Sequence, residues 1–372
     1  MEFGLFTQAF NPVQARQQDP DSEHSRIMYE LDLVQAADRS GFKYVWAAEH
    51  HFLDEYSHLS ASESWLGYVA AKTRRIHIGS GIFNVTPPVN HPARIAERVA
   101  MLDHLSEGRF EFGTGRGSST TEQRGFGIDD PELTRQMWDE VVPELKKMWS
   151  QPSYSFNGNW FSMPARNILP KPWVKPHPPM WVACGSPTTF EKAARLGLGA
   201  LGFTTGNPGT LEPLVKAYKD NIQKAEPVGD YVNDNVALVS SMLCLEDGQA
   251  AREWMARIGV GYLQSLVFRY LDTFPRPQGI PAWPTLIPEP TPADVDARVA
   301  QGSMIAGTAE ECMRGCQAYA DIGADQLIFG SLLAPLEVAT LSLETFGKSV
   351  IPKFDTEDVH RSTRMRQAAL RP

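Results

Sequence analysis

The feature that most constrains this chain is an alternation, repeated from one end to the other, of short β-branched or aromatic runs with longer amphipathic stretches. The runs predict eight strands, at 2–6, 44–48, 76–83, 109–113, 180–184, 200–203, 236–245 and 326–329. A helix is predicted after each strand; the first, at 25–40, places Ile27, Leu31, Val34 and Ala37 on one stripe. Eight such units without a break in composition favour a closed (β/α)8 TIM barrel with insertions. A doubly wound open sheet uses the same units and is the alternative.

The length of 372 residues suits one such barrel enlarged by insertions. We predict a single domain over 1–353, interrupted by proline-rich insertions at 151–179 and 272–305, and a polar, frayed tail at 354–372. The stretch YSFNGNWFSM in the first insertion has the pattern of an antiparallel hairpin. A long insertion without periodicity is a functional lid or a disordered segment, and we interpret 272–305 as a lid.

Charge and cysteine content exclude several classes of function. The chain has 35 basic and 44 acidic residues, a formal charge of −9, and no dense basic stripe, which argues against nucleic acid as a partner. Neither a basic leader nor an apolar run long enough for a membrane helix is found, so we predict a soluble, cytoplasmic protein. Four cysteines are too few for a disulfide scaffold. We predict buried thiols and no metal site.

The second predicted strand ends in Glu49, His50 and His51, where a barrel would open its active-site mouth. A histidine at that point can exchange a proton near neutral pH or donate a hydrogen bond to an anion. We predict the catalytic role for His50. In the alternative interpretation, one histidine supports the strand end by bonding to Glu49 or to the backbone.

Two loops carry signals for an anion. The fourth strand ends in GTGRGSS, in which the third glycine falls one position early for a dinucleotide fingerprint and no helix is predicted immediately afterwards. We interpret it as a tight loop that brings Arg116 to a phosphate. After the fifth strand, Ser186 and Thr189 lie at a predicted helix N-terminus, which favours a phosphate there too. Ser186 could instead be a simple helix cap.

The ends of the third, sixth and seventh strands suit a flat ring. Glycine beside larger residues at 81–84, together with Phe203, Thr204 and Ser240, would let such a ring approach the backbone, although each position alone is compatible with simple packing. Motifs of zinc proteases, P-loops and nucleophile elbows are missing from the sequence. A phosphate site, a ring pocket and a histidine together fit a flavin mononucleotide (FMN) enzyme.

These residues lie within stretches that carry a family resemblance over nearly the whole chain: MEFGLF, GFKYVWAAEHHF, NHPARIAERVAMLDHLSEGRFEFGTGRG, ACGSPTTFEKAARLG and AGTAEECMRGCQAYADIGADQLIFG. In combination they resemble the bacterial-luciferase-like, flavin-dependent monooxygenases. The resemblance implies a (β/α)8 barrel that takes reduced FMN from a separate flavin reductase. It also implies reaction with O2 through a flavin C4a-peroxide, and oxygenation of a small organic substrate of the aldehyde or ketone type.

The resemblance also implies roles for individual residues. His50 matches the active-site histidine of the family, Arg116 the arginine on the FMN phosphate, and Ser186 and Thr189 the hydroxyl residues beside it. Ser240 falls near a serine that contacts the flavin ring. Gly81 and Ile82 fall where the family has a non-proline cis peptide against that ring, and Asn84, Phe203 and Thr204 are assigned to the substrate pocket.

The sequence departs from the light-emitting members at two positions. Gly115 stands where their reactive cysteine would be, and Thr204 where they have a tryptophan, which argues against light emission and a long-chain aldehyde. Two alternatives remain open: a hydride-transfer oxidoreductase of the same superfamily that uses the deazaflavin coenzyme F420, and a non-catalytic partner subunit. A homodimer is the expected assembly.

Overall fold

The computed structural model of the protein describes residues 1–204, 206–274, 276–330 and 332–370. Its strands are β1 (Glu2–Thr7), β2 (Tyr44–Ala47), β3 (His77–Ser80), β4 (Phe83–Asn84), β5 (Phe110–Gly115), β6 (Tyr154–Asn157), β7 (Ser162–Arg166), β8 (Met180–Cys184), β9 (Gly199–Gly202), β10 (Val236–Ser240), β11 (Met242–Cys244), β12 (Ile305–Gly307) and β13 (Gln326–Gly330).

The helices lie between and after these strands. They are α1 (Val13–Gln18), α2 (Ser22–Arg39), α3 (Ser62–Lys72), α4 (Pro92–Leu105), α5 (Thr120–Gly125), α6 (Leu133–Ser150), α7 (Pro187–Arg195), α8 (Pro208–Ile222), α9 (Gly248–Arg257), α10 (Val260–Tyr270), α11 (Pro292–Ala300), α12 (Ala309–Asp321), α13 (Leu336–Ser349), α14 (Ile351–Phe354) and α15 (Arg361–Ala369). In the described residues, none is long and apolar enough to cross a membrane.

The sheet is a closed parallel barrel, which confirms the first architecture and shows that the open sheet is wrong. Neighbouring strands follow the order β3-β2-β1-β13-β10-β9-β8-β5-β4, and β3 also pairs with β5. That pairing, with Ile78 opposite Phe110 and Gly79 opposite Glu111, closes the ring. Two predicted strands are divided: 76–83 gives β3 and β4, and 236–245 gives β10 and β11.

Aromatic side chains and glycines share the inside of the barrel. Trp46 and Trp181 are fully buried there and meet edge to face, with ring centroids 5.1 Å apart. A Cβ atom on Gly79 would lie 2.4 Å from the Trp46 ring, and one on Gly199 would lie 2.3 Å from the Trp181 ring. Because these glycines leave room for the indoles, the interior is filled by side chains and the functional cavity is confined to the mouth.

The helices cover the outside of the barrel with their apolar faces. Leu31, Val34 and Ala37 of α2 are buried at the spacing that the sequence predicts, and Gly41 follows the helix with a φ of 89°. The predicted hairpin of the first insertion is present as the antiparallel pair β6–β7. All four cysteines are buried free thiols, as predicted.

The chain end corrects one expectation. Residues 361–369 form α15, and Ser362 in its first turn is fully buried. Its hydroxyl donates to Glu111 inside the amino-terminal end of the barrel, at 2.5 Å. The prediction of a frayed tail is therefore wrong for this segment, because docking against the barrel supplies buried contacts that its polar composition does not reveal.

Candidate active site

A cavity of about 870 Å³ occupies the mouth formed by the carboxyl ends of the barrel strands. Of the ten predicted site residues, the cavity wall includes His50, Gly81, Ile82, Asn84, Arg116, Ser186, Thr189, Phe203 and Ser240. The structure thus brings together nine residues from the ends of seven strands, although their roles remain predictions. Thr204 is not part of the wall, since its hydroxyl instead donates to the carbonyl oxygen of Gly185 at 3.2 Å.

His50 is held at one ring nitrogen. Its Nδ1 lies 3.2 Å from Oε1 of Glu122, whose side chain is almost fully buried, and the ring of Tyr56 meets the imidazole edge to face at 5.3 Å. With Nδ1 directed at the carboxylate, Nε2 is the nitrogen left for a ligand. The arrangement suits a histidine that gives or takes a proton within the cavity.

His51 has a different environment. Its Nε2 is 3.6 Å from Oε1 of Glu49, and its ring meets Phe126 edge to face at 4.9 Å. Glu49 is itself buried and paired with Arg98 at 3.2 Å. In the alternative interpretation, one histidine supports the strand end by bonding to Glu49 or to the backbone. The contacts of His51 fit that supporting role better than those of His50 do.

Glu122 is a candidate site residue that was not predicted from the sequence. It lies on α5, a short helix that begins directly after the glycine loop, so the expectation that no helix follows this loop is wrong. The sequence contains a signal, because Ser119 followed three residues later by Glu122 is a capping-box pattern. Glu122 does not return to its own helix cap; its Oε1 accepts the backbone N–H of His51 at 2.7 Å as well as facing His50.

Arg116 provides the positive end of the cavity. Its guanidinium donates to the Thr134 hydroxyl at 2.7 Å, and no described carboxylate lies within ion-pair distance. Burial lowers the pKa of Arg116, and nearby Arg135 lowers it further. Arg135 and Lys192 line the same end. A half-buried cation without a carboxylate partner suits an anionic ligand, such as a phosphate group.

The N-terminus of α7 lies at the same end. Ser186 caps it: Oγ accepts from Thr189 N at 3.4 Å, and the Thr189 hydroxyl accepts from Ser186 N at 3.0 Å. Ser186 is thus a helix cap, as the simpler interpretation held, and it also lines the cavity. Two hydroxyl groups, a helix N-terminus and a guanidinium form a donor set that fits a phosphate dianion.

The region assigned to a flat ring is made by close backbone packing. The peptide bond between Gly81 and Ile82 is cis, as the resemblance implies. A Cβ atom on Gly115 would lie 2.5 Å from Cδ1 of Ile82, so the position where the light-emitting members have a cysteine has no room for a side chain here. Ser240 is buried, and its Oγ lies 3.3 Å from the Tyr319 hydroxyl.

Phe203 and Asn84, which were assigned from the sequence to a substrate pocket, contact neighbouring side chains. Phe203 packs against Phe6 with ring centroids 5.1 Å apart. The side-chain oxygen of Asn84 accepts hydrogen bonds from the backbone and hydroxyl of Thr86, at 3.1 and 2.7 Å. The Phe203 ring and the side-chain oxygen of Asn84 therefore already have partners within the protein.

Comparison with known proteins places this architecture. Residues 1–326 match the family profile of luciferase-like monooxygenases. The oxygenase component of a flavin-dependent trigonelline monooxygenase from Acinetobacter baylyi is 31% identical over 182 residues, which is 48% of this chain and 49% of that protein. The alignment therefore spans about half the length of that relative.

Another relative has a different coenzyme in its name. An F420-dependent glucose-6-phosphate dehydrogenase from Amycolatopsis mediterranei is 25% identical over 334 residues, 87% of this chain and 94% of that protein. Among solved structures, the oxygenating constituent of 3,6-diketocamphane monooxygenase from Pseudomonas putida superposes with a TM-score of 0.75 at 18% identity, covering 95% of this chain and 98% of that one. From its fold and from the family profile, which spans most of its length, the chain belongs to the luciferase-like monooxygenase family.

Proposed function

We propose that the protein is the oxygenase of a two-component system that uses reduced FMN and O2 to oxygenate a small organic substrate of the aldehyde or ketone type. The observation that carries this proposal is one cavity that joins a phosphate-type donor set at Arg116 and Ser186 to the His50–Glu122 pair. The trigonelline relative is named as flavin-dependent, and the diketocamphane enzyme was solved in complex with FMN. Both support FMN as the cofactor.

Named residues would hold FMN. Arg116, Ser186 and Thr189 would bind its phosphate, for which their charge and hydroxyl groups are suited. Gly81, Ile82 and Ser240 would contact the ring system. When bound in its reduced form, the cofactor supplies the electrons for activating O2.

His50 would act as the acid/base group at the reacting end. Glu122 holds Nδ1, so Nε2 can hold or deliver a proton in the cavity. Glu122 touches no atom that reacts in this scheme and is a positioning residue. Because its carboxylate is almost fully buried, it keeps the imidazole in one orientation without competition from solvent.

The insertion 272–305 would be the lid that excludes water. At its start, the Asp272 carboxylate accepts from the backbone of Thr120 at 2.8 Å, and the Thr273 hydroxyl donates to the carbonyl oxygen of Ser118 at 2.9 Å. These contacts are made to the loop that follows Arg116 and to the first residue of α5. Movement of the lid would therefore be coupled to the phosphate end of the cavity.

Two protein partners are part of the proposal. A separate flavin reductase would supply the reduced cofactor, as expected for a protein related to an oxygenase component. The chain would form a homodimer through the outer faces of α3 and α4, where Tyr68, Met101 and Leu105 are each about half exposed, at 46%, 48% and 56%.

A deazaflavin-dependent hydride transfer is the second candidate, favoured by the F420-dependent relative. A non-catalytic partner subunit is less well supported, because it would not need the intact donor set of Arg116, Ser186 and Thr189.

The deciding experiment is anaerobic titration of the protein with reduced FMN and with reduced F420, followed by mixing with O2. We expect tight binding of reduced FMN and a reoxidation rate different from that of the free cofactor. Binding of F420 alone would support hydride transfer, and binding of neither would support the partner subunit.

A further inference from the structure

Helix α10 forms one wall of the cavity with a single helical face. The residues that line the cavity from this helix and its cap are Val260, Leu263, Gln264, Val267 and Leu271. Their spacing of three, four, seven and eleven residues from Val260 places them all on one stripe. Four are aliphatic, and Gln264 is the single polar member.

Aliphatic residues from two other segments line the same cavity. Met242 and Leu243 on β11 contribute to it, together with Leu332, Leu333 and Ala334 after β13. We call the part of the cavity that is lined by the α10 stripe and these five residues the apolar chamber. It is the part of the cavity in which hydrocarbon surface would gain most from leaving water, at about 25 cal/mol per Å².

The charged side chains that line the cavity come from elements other than those of the apolar chamber. In the described residues they are Arg116, Arg135 and Lys192 at the phosphate end, Glu49 and Glu122 beside the histidines, and Arg298 on α11. None of them belongs to the elements that form the apolar chamber. An ionised ligand group placed in the chamber would lose its hydration, and no residue of the chamber itself would supply a counter-ion.

The apolar chamber adjoins the reacting end of the cavity. Leu263 belongs to a buried cluster with Tyr56, Phe10 and Tyr270, and Tyr56 meets the His50 ring edge to face at 5.3 Å. A ligand lying along α10 would therefore end close to His50. The chamber is thus placed to hold the substrate and not the cofactor phosphate.

Gln264 brings hydrogen-bonding capacity into this aliphatic surface. Its side chain is half-buried, lines the cavity and makes no hydrogen bond to any described residue. The neighbouring Ser265, in contrast, donates to Gly261 and accepts from Ile287. An amide offers both a donor and an acceptor, and leaving both without a partner as a ligand excludes water would be unfavourable.

We propose that the apolar chamber takes an uncharged, mainly hydrocarbon substrate and that Gln264 determines specificity by hydrogen-bonding to a carbonyl or hydroxyl oxygen on it. This proposal rests on the oxygenase function and names its substrate class. It predicts that neutral ligands are preferred to anions of the same size. It further predicts that Gln264 contributes only to ligands that carry a polar group.

The test measures displacement of Nile red, a neutral apolar fluorophore, from the full-length protein by three matched probes: cyclooctane, cyclooctanone and cyclooctanecarboxylate. We expect cyclooctanone to displace the dye at a concentration at least about tenfold lower than the carboxylate does. Gln264→Leu should weaken the binding of cyclooctanone about three- to tenfold, the range of one neutral hydrogen bond, and leave the binding of cyclooctane unchanged. Gln249→Leu, at an exposed position on α9, is the matched control and should change neither.

Equal binding of the carboxylate and the ketone would overturn the proposal. An equal loss of affinity for cyclooctane and for cyclooctanone in Gln264→Leu would overturn it too. Titration with oxidised and reduced FMN on the same samples separates this result from the function itself. A preference for the neutral probes without binding of FMN would support the proposal for the chamber and contradict the proposed oxygenase function. FMN binding without displacement by a neutral probe would remove the chamber alone.

Discussion

Oε1 of Glu122 faces the Nδ1 of His50 at 3.2 Å while it accepts the backbone N–H of His51 at 2.7 Å. One buried carboxylate oxygen thus fixes both the side chain of the first histidine and the backbone of the second. It connects α5 to the segment directly after β2, two parts of the chain about 70 residues apart.

Removal of Glu122 should release the ring of His50. In the native protein we expect the Nδ1–H tautomer, donated to the carboxylate, whereas Glu122→Ala should shift the ring towards the Nε2–H form. Nitrogen-15 NMR of histidine-labelled protein measures this directly. Glu310→Gln, at an exposed position on α12, is the control. An unchanged His50 spectrum in Glu122→Ala would remove the positioning role.

Replacement of Arg116 should weaken binding of FMN but not of riboflavin, which lacks the phosphate. Loss of a charge-assisted hydrogen bond costs about 1.5–3 kcal/mol, so Arg116→Ala should raise the Kd for FMN about 10- to 100-fold. The Kd of Arg116→Lys for FMN should lie between those of the native protein and Arg116→Ala, because an ammonium group cannot bind two oxygens in a fork. Fluorescence titration with both flavins checks this, with the exposed Arg124→Ala as control. An equal loss of both flavins would contradict a phosphate contact.

A side chain at position 115 should disturb the ring pocket. The Cβ of Gly115→Ala would meet Ile82 at 2.5 Å, and overpacking of this kind costs about 1–3 kcal/mol. Displacement of Ile82 should weaken FMN and riboflavin equally, unlike the Arg116 variants. The double variant Gly115→Ala/Ile82→Ala restores the space and should recover part of the affinity. The same flavin titrations apply, and a double variant no better than Gly115→Ala would show that the conflict lies elsewhere.

The buried Glu111 should make stability fall as the pH rises. Burial raises the pKa of Glu111 to about 8, and hydrogen bonds from Ser362 and Trp181 oppose that shift only in part. The folded protein therefore holds this proton more tightly than the unfolded chain does, and stability is lost between the unfolded value of 4.5 and about 8, by at most about 1.4 kcal/mol per pH unit.

Two histidines near Glu111, His77 and the His360 ring stacked on it, do not oppose this effect from pH 6.5 to 8. Burial lowers the pKa of His77, and burial together with the adjacent His77 ring lowers that of His360, so both are neutral in this range and oppose stability only below 6.5. Glu111→Gln should flatten the dependence of the free energy of unfolding on pH from 6.5 to 8, measured by urea unfolding. Glu310→Gln should keep the native slope. A Glu111→Gln protein with an unchanged slope would assign the effect to another group.

The local patterns of the sequence determined most of the fold and the composition of the site. Alternation of apolar periods predicted eight strands and their helices, and the position of His50, Arg116 and Ser186 at strand ends placed them in one mouth. Those predictions depend on neighbours within a few residues, such as the helix stripe of α2 or the turn at Gly41, and such neighbours are visible in the sequence itself.

Tertiary structure decided what depends on distant partners. Three relationships join segments that no local period connects. Glu122 contacts two histidines, Ser362 donates to Glu111, and a side chain at position 115 would clash with Ile82. For this reason the sequence predicted a frayed polar tail and placed Thr204 in the pocket wall. Sequence period fixes which face of an element is apolar, but only closure of the barrel determines which polar groups meet, because a hydrogen bond depends on positions in space.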